Sequence, residues 1–342
     1  MPPSRESFQM LLRLIIIVLL FTLMIFPQSL SKYTHSTHTT GRHLQSNQPS
    51  LLTLVSWNMQ WLSVANKETF ITRTTSDFTQ LARILADLSP DILAFQEVDS
   101  ISAIEALLPS SKYKIFLSDR HTSPNEKFAG INQFTGFAIK NGLPIDNPPD
   151  LKALNIRLHT RKDHTRQAGR LRYGSYIIVR KGMKNELHLL NIHLKSGCFS
   201  VKNKPSSRSC RTLRKQASAL TTWIQQRLNN DEDYIVLGDF NHRLNSEHQW
   251  LLTSLNQKLS LPAFNLTENT DAACLARHTK RNGSRKKRLY RSLVDHALGS
   301  EKVANSIKMH GQVYQYQYAT DEVDNYQLSD HCPLVISLPS LE

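Results

Sequence analysis

The sequence predicts an α/β layered fold. Strand-length apolar runs alternate with segments of helical spacing through most of the chain, and no internal repeat is visible. Apolar residues make up 40% of the composition, enough for a substantial core, and 12 glycines with 14 prolines exclude a low-complexity chain. About 290 residues follow the N-terminal stretch, long for a typical domain but within reach of one large α/β unit.

Leu51–Asn58 is the first expected strand. Ser76–Leu88 spaces Phe78, Leu81, Ile84, Leu85 and Leu88 along one helical face, and Ser89-Pro90 stops it. Asp91–Glu97 is a second strand, Ser102–Leu108 a short helix, and Lys114–Ser118 and Thr135–Lys140 two further strands. Tyr173–Arg180 and Glu186–His193 form a strand pair joined around Lys181-Gly182. Leu213–Leu228 is a helix turning Leu213, Leu220, Trp223, Ile224 and Leu228 inward. Tyr234–Gly238 is a buried strand and Gln249–Leu255 a short helix, and Leu293–Leu298 and Leu334–Leu338 are the closing strands. The alternation in Tyr314-Gln315-Tyr316-Gln317-Tyr318 fits an amphipathic strand.

The N-terminus carries a separate signal. Arg5 precedes an apolar run, Leu11 to Phe26, broken only by Arg13 and Thr22, and Ser29-Leu30-Ser31 follows with small residues. Its core has the length of a signal-peptide apolar region and is short for a membrane span. Residues 1–31 are therefore expected to be a cleaved signal peptide or a retained anchor, and the Ser/Thr/His/Gln-rich residues 32–50 a polar linker. The protein is expected to be exported, secreted or periplasmic, or else anchored through that segment. In such a compartment Cys198, Cys210, Cys274 and Cys332 can form disulfides, with three full pairings open. Cys198 and Cys210 bracket a short basic loop with little apolar content, which a bridge would close. Cys274 and Cys332 are the leftover pair, although burial alone also accounts for Cys332. No CxxC occurs, so a zinc ribbon has no support.

Polar residues stand just past the ends of the apolar strands, where a rigid sheet holds them yet leaves them open to solvent. They are Asn58, Glu97, His193, Asp239 with Asn241, and Asp330-His331; Asp295-His296 lies inside a further strand. In this order they resemble, position by position, the signature of the endonuclease/exonuclease/phosphatase superfamily. That group includes DNase I-like nucleases, abasic-site endonucleases, neutral sphingomyelinases and inositol-polyphosphate 5-phosphatases. The resemblance runs from about Leu51 to Leu338 and is strongest in Gly238-Asp239-Phe240-Asn241 and Ser329-Asp330-His331.

The resemblance implies a four-layer sandwich over residues 51–342: two mixed β-sheets packed face to face with helices outside. It implies Glu97 as the main metal ligand, with Asn58 and Asp330 holding the ion or its waters. Hard oxygen ligands of this kind suit Mg²⁺ or Mn²⁺ better than zinc. Asp239 would orient or deprotonate the attacking water, and Asn241 would hydrogen-bond the scissile phosphate. Asp295 would orient His331, whose imidazolium would stabilise developing charge. His193 would contact phosphate or act as general acid; abasic-site endonucleases carry a tyrosine there. His296 stays open between a family role and a structural one. Nucleases of the group carry a phosphate-contacting arginine near Arg170 and Arg172, and which of the two corresponds stays open.

The implied activity is metal-dependent phosphodiester hydrolysis. The net charge of +14 favours a polyanion. Basic residues cluster in Arg157–Arg172, Lys195–Lys215 and Arg277–Arg291, segments attached to strands with site residues. Arg285, Lys286, Lys287 and Arg288 are therefore expected to bind substrate as a basic loop. Nucleic acid, DNA or RNA, is the expected substrate. The rivals are a sphingomyelinase-type lipid phosphodiesterase and an inositol-polyphosphate phosphatase. The sequence points to no obligate protein partner and to a monomer, with membrane contact only through the N-terminal segment.

Overall fold

The computed structural model describes residues 51–65, 71–128, 130–156, 171–180, 186–200, 205–247, 249–279 and 285–339. The expected signal or anchor, the linker, Arg170 and Lys181-Gly182 lie outside these residues.

The chain opens with strand β1 (Leu52–Leu62), helix α1 (Thr75–Leu88), β2 (Ile92–Val98) and the short α2 (Ile101–Glu105). The side chain of Thr74 accepts from the Asp77 backbone while Asp77 accepts from the Thr74 backbone, a capping box that starts α1, and Ser89 ends it in a left-handed conformation. Next come β3 (Tyr113–Leu117), β4 (Phe134–Lys140), β5 (Ile145–Asp146), β6 (Ser175–Val179) and β7 (Leu187–His193). Helix α3 (Arg208–Asn229) starts well before Leu213 because Ser207 caps it, accepting from the Cys210 backbone. After β8 (Asp233–Asp239), α4 (Leu251–Asn256) and β9 (Phe264–Asn265) come β10 (Cys274–Thr279) and β11 (Arg285–Tyr290). The chain closes with β12 (Asp295–Gly299), α5 (Glu301–His310), β13 (Gln312–Gln315), α6 (Thr320–Asn325) and β14 (Leu334–Leu338).

Two six-stranded mixed sheets result, ordered β13-β14-β1-β2-β4-β3 and β5-β6-β7-β8-β12-β9. Each has one parallel pair, β1 with β2 and β7 with β8, and each pair is crossed over by a helix, α1 or α3. Period-two alternation explains the layering. Leu54, Ala94, Leu189 and Leu237 pack between the sheets, Val55, Leu93 and Phe95 pack with α1 residues Leu81, Ile84 and Leu85, and Leu190 and Val236 pack with α3 residues Leu213, Leu220 and Ile224. The order is helix, sheet, sheet, helix, the four-layer sandwich the sequence led us to expect.

Two local expectations are corrected. The basic segment before the Asp295 strand is no loop: β10 and β11 pair antiparallel as a separate two-stranded hairpin, from Cys274↔Tyr290 to Thr279↔Arg285. Its cationic residues hide the usual apolar alternation. The Tyr314–Tyr318 strand also stops at Gln315, and Tyr318 is instead buried against Trp57.

Cys198 bonds to Cys210 and Cys274 to Cys332, with Cα separations of 5.1 and 5.7 Å. The second bridge spans 58 residues and the first 12. Chain entropy gives about 4 kcal/mol for the longer loop and about 2–3 kcal/mol for the shorter. Paired Cys→Ser variants should therefore lose denaturant stability in that order, and equal losses would overturn the ranking.

Candidate active site

Four strand ends meet where the two parallel pairs finish. Alternation turns Asn58 of β1, His193 of β7 and Asp239 of β8 toward the space between the sheets, in phase with Leu54, Leu189 and Leu237. Asn58 Nδ2 donates to Asp239 Oδ2 at 3.0 Å and so bridges the sheets. Just below, Gln96 Nε2 donates to Asn191 Oδ1 at 2.7 Å, and Asn191 Nδ2 donates to the Phe95 and Gly136 carbonyls. This buried amide pair locks the register of one sheet against the other, since an unpaired amide there would cost about 1–3 kcal/mol.

Glu97 breaks the alternation. Leu93 and Phe95 face the α1 side, and a regular strand would send Glu97 after them. Instead the register shifts between Phe95 and Val98, and Glu97 takes a φ of +59°. The neighbouring β1 shifts between Asn58 and Leu62, with Gln60 and Trp61 at φ +45° and +55°. The Trp61 N–H donates to Glu97 Oε2 at 3.2 Å, and Glu97 Oε1 lies 3.6 Å from His193 Nε2. Left-handed non-glycine residues cost about 1–3 kcal/mol each and gather at functional sites. Asn241 is another, at φ +50°.

Asp239 is the hub. Its carboxylate accepts from Asn58 Nδ2, the Asn241 backbone N–H (2.8 Å) and Asn241 Nδ2 (3.0 Å). His193 Nε2 lies 3.4 Å and His331 Nε2 4.0 Å from its Oδ2. His331 Nδ1 pairs with Asp295 Oδ2 at 2.7 Å. The His331 carbonyl accepts from Trp57 Nε1 and the Tyr318 hydroxyl, which hold its backbone from below.

Burial pushes Asp239 up to about 7, with His331 opposing and Asp295 reinforcing the shift. Burial also raises Glu97, opposed by Arg172 and reinforced by Asp330. Burial disfavours charge on His331, but Asp295 by charge and hydrogen bond, with Asp239 and Asp330 behind it, holds the imidazole well above its ordinary value. His193 is held well below by burial and then by Arg172, His331 and Lys195, so it is neutral at physiological pH.

These groups could hold a divalent cation. Glu97, Asp330 and Asn58 supply hard oxygens, and burial, which raises Glu97, is a cost that a bound cation would offset. Atoms of Asp239, Asp295 and His331 also come within 4.8 Å of one another. The residues around Glu97 would suit a cation better than that trio. Asp295 already occupies His331 Nδ1, and a cation there would oppose the imidazolium that the carboxylates favour.

Of the two open arginines, the charges of Glu97 and Asp239 act on Arg172, and its guanidinium donates to Gln133 Oε1; Arg170 lies outside the described residues. Lys287 pairs with Asp324 at 2.8 Å. Lys286 and Arg288 are exposed on the hairpin, and Arg285 lies in β11. His296 is structural: Nδ1 sits 2.6 Å from Thr267 Oγ1, and Nε2 accepts from the Leu244 N–H.

Arg73 escaped the sequence reading. Its guanidinium donates to the carbonyls of Met59 and Gln60 in the β1 bulge and of Gln327 and Leu328 ahead of Asp330. Gln60 Oε1 then accepts from the Asp330 N–H at 3.1 Å. A lone arginine ahead of a helix carries no local signal, and these partners are distant in sequence.

A model of the endonuclease/exonuclease/phosphatase family matches residues 55–331. The chain belongs to the endonuclease/exonuclease/phosphatase family. It is thus a phosphoesterase-class hydrolase with a DNase I-like fold. Similar solved structures include TDP2 from Caenorhabditis elegans, with TM-score 0.55 and 16% identity over 85% of this chain and 75% of that one. A family member from Bacteroides vulgatus has TM-score 0.52 and 13% identity over 86% of this chain and all of that one. At these identities the likeness speaks for the fold alone. Among curated proteins, no sequence match was found.

Proposed function

We propose that this family member is an exported, divalent-metal-dependent phosphodiesterase acting on nucleic acid. One observation carries the chemistry: Glu97, Asp239 and the His331–Asp295 pair meet at the joined ends of the two parallel strand pairs, with charge distributed unevenly among them. When bound, the Mg²⁺ or Mn²⁺ supplies charge neutralisation to the phosphoryl oxygens. Glu97, Asp330 and Asn58 hold it. Asp239 orients the attacking water and accepts its proton. Asn241 Nδ2 already serves Asp239 and the Leu194 carbonyl, so the phosphate contact expected of Asn241 requires it to exchange a partner. Arg172 and neutral His193 donate to phosphate oxygens. His331, charged and steered by Asp295, stabilises the leaving side.

Nucleic acid is favoured over a membrane lipid because the hairpin beside the site exposes the cations Lys286 and Arg288. Export rests on the apolar N-terminal run and the two disulfides. Residues 1–31 as signal or anchor and 51–342 as the catalytic domain belong to the same proposal. Among the described residues, no helix is long and apolar enough to cross a membrane.

The test offers plasmid DNA, RNA and sphingomyelin side by side to purified protein with Mg²⁺. Nucleic-acid cleavage, abolished by EDTA and restored by Mg²⁺, is the expected result. Cleavage undiminished in EDTA refutes the metal dependence, and turnover of sphingomyelin alone refutes the substrate.

A further inference from the structure

The β10–β11 hairpin carries its cations on two faces with different tasks. Residues two apart on a strand share a face. Lys287 and Leu289 therefore lie on one side, and Lys286, Arg288 and Tyr290 on the other. The first side is tied to α6 at Lys287, while Leu289 is exposed. Lys287 Nζ pairs with the Asp324 carboxylate at 2.8 and 3.0 Å, and its cross-strand partner Arg277 donates to the Asp324 carbonyl at the end of α6. Leu275, opposite Leu289, packs against the core.

The second side begins at the active site. Cys274 is paired with Tyr290 and disulfide-bonded to Cys332, the residue after His331. Tyr290 is therefore held beside the Asp330-His331 segment. Its hydroxyl meets His278 Nδ1 at 3.2 Å, and the Arg288 guanidinium lies 4.9 Å from the centre of its ring. Lys286 is exposed one step further along, and among the described residues no carboxylate lies within ion-pair distance of Lys286 or Arg288. From Tyr290 to Lys286 the strand covers about 14 Å at about 3.4 Å per residue. The face is thus a ramp that starts at the candidate metal ligand Asp330 and carries positive charge outward, with its base held by a covalent bond.

We propose that the Lys286–Arg288–Tyr290 face of the hairpin binds the nucleic-acid backbone on one side of the scissile phosphate, and so makes the enzyme prefer oligomers to small phosphodiesters. The inference rests on the proposed nuclease function. A phosphodiester with no neighbouring phosphates leaves this face unused, whereas a strand that continues past the cut places phosphates against Arg288 and Lys286. Lys287, spent on Asp324, has a positioning role only.

The test measures binding of a single-stranded oligonucleotide across a salt series, with the metal replaced by Ca²⁺ to suppress cleavage. It compares the wild type, Lys286→Gln/Arg288→Gln and Lys287→Gln, each checked for folding by its thermal melt. The double variant should lower the slope of log affinity against log salt by about 1.4, since about 0.7 counterions are released per single-strand phosphate contact. Its loss in Mg²⁺ should fall on KM for the oligonucleotide and not on kcat. Lys287→Gln should keep the wild-type slope. An unchanged slope in the double variant, or an equal fall in Lys287→Gln, overturns the face assignment. Vesicles containing phosphatidylserine form a further arm: binding to them that the double variant loses, with oligonucleotide binding untouched, overturns the proposal in favour of a membrane contact. Wild-type cleavage of the same oligonucleotide in Mg²⁺ is recorded separately. Its absence condemns the proposed function itself, whatever the hairpin does.

Discussion

Asp239→Asn should lower phosphodiester turnover by about 10³-fold or more while leaving the protein folded. The magnitude is that of losing a group that acts on charge in the transition state. The variant keeps the size and planarity of the side chain. It loses the basicity needed to accept a proton from water, and its new NH₂ points a donor at Asn58 Nδ2 or Asn241 Nδ2, both of which donate to the wild-type carboxylate. The lost hydrogen bond costs about 1 kcal/mol, but removing a buried charge offsets it. Burial holds the folded-state pKa of Asp239 at about 7, well above the ordinary carboxylate value. Between those two pH values the folded state keeps a proton that the unfolded chain has released, so the wild type loses stability as pH rises through that window. Asparagine does not ionise. The melting temperature of the variant in EDTA, relative to wild type, should therefore rise with pH up to about 7 and then level off. Retained turnover, or a relative stability that falls with pH, would contradict the assignment. A catalytic carboxylate kept in place at the expense of stability is the pattern expected of an active site.

The second large effect is on the fold. Gly238→Ala should destabilise the protein by more than about 4 kcal/mol, the range reserved for steric or backbone violations that cannot relax. Gly238 is paired with Ile192 across the parallel β7–β8 ladder and has a φ of +131°. A Cβ there would lie 2.1 Å from the Ile192 carbonyl oxygen and 3.0 Å from its nitrogen. Both are backbone atoms held by the sheet, so no side-chain rotation relieves the clash. Gly142 separates conformational strain from collision. Its φ is +95°, but nothing lies within 4 Å of an added Cβ. Gly142→Ala should cost about 1–3 kcal/mol from strain alone. Thermal melts of the two variants should differ by several degrees, at about 2–4 °C per kcal/mol for a large domain. Equal shifts would mean that the Gly238 backbone moves out of the way.

Much of the fold was legible because its signals are local. The apolar runs of β1, β2, β7, β8 and β14 and the helical spacing of α1 and α3 sit in contiguous residues. Within each strand, alternation sets Asn58 in phase with Leu54, His193 with Leu189 and Asp239 with Leu237. In the structure Asp295 pairs with His331 and Cys198 bonds to Cys210. The β10–β11 hairpin was hidden because Arg285, Lys286, Lys287 and Arg288 carry no apolar alternation. What holds it is remote: the Cys274–Cys332 bond and the Asp324 contacts.

The sequence by itself determined that strands and helices interleave, and which polar residues stand at the strand ends. Tertiary structure decided how Glu97 reaches the others. Strand parity directs it toward α1, and only the paired irregularities in β1 and β2, with positive φ at Gln60, Trp61 and Glu97, turn it to His193 and the Trp61 N–H. It also decided that the charges of Glu97 and Asp239 act on Arg172, and that Arg73 ties the β1 bulge to the segment before Asp330. The physical reason is common to all three. Periodicity depends on neighbours along the chain, whereas a left-handed residue or a buried guanidinium is tolerated only when hydrogen bonds from distant segments offset its cost, and those partners exist only once the sheets have packed.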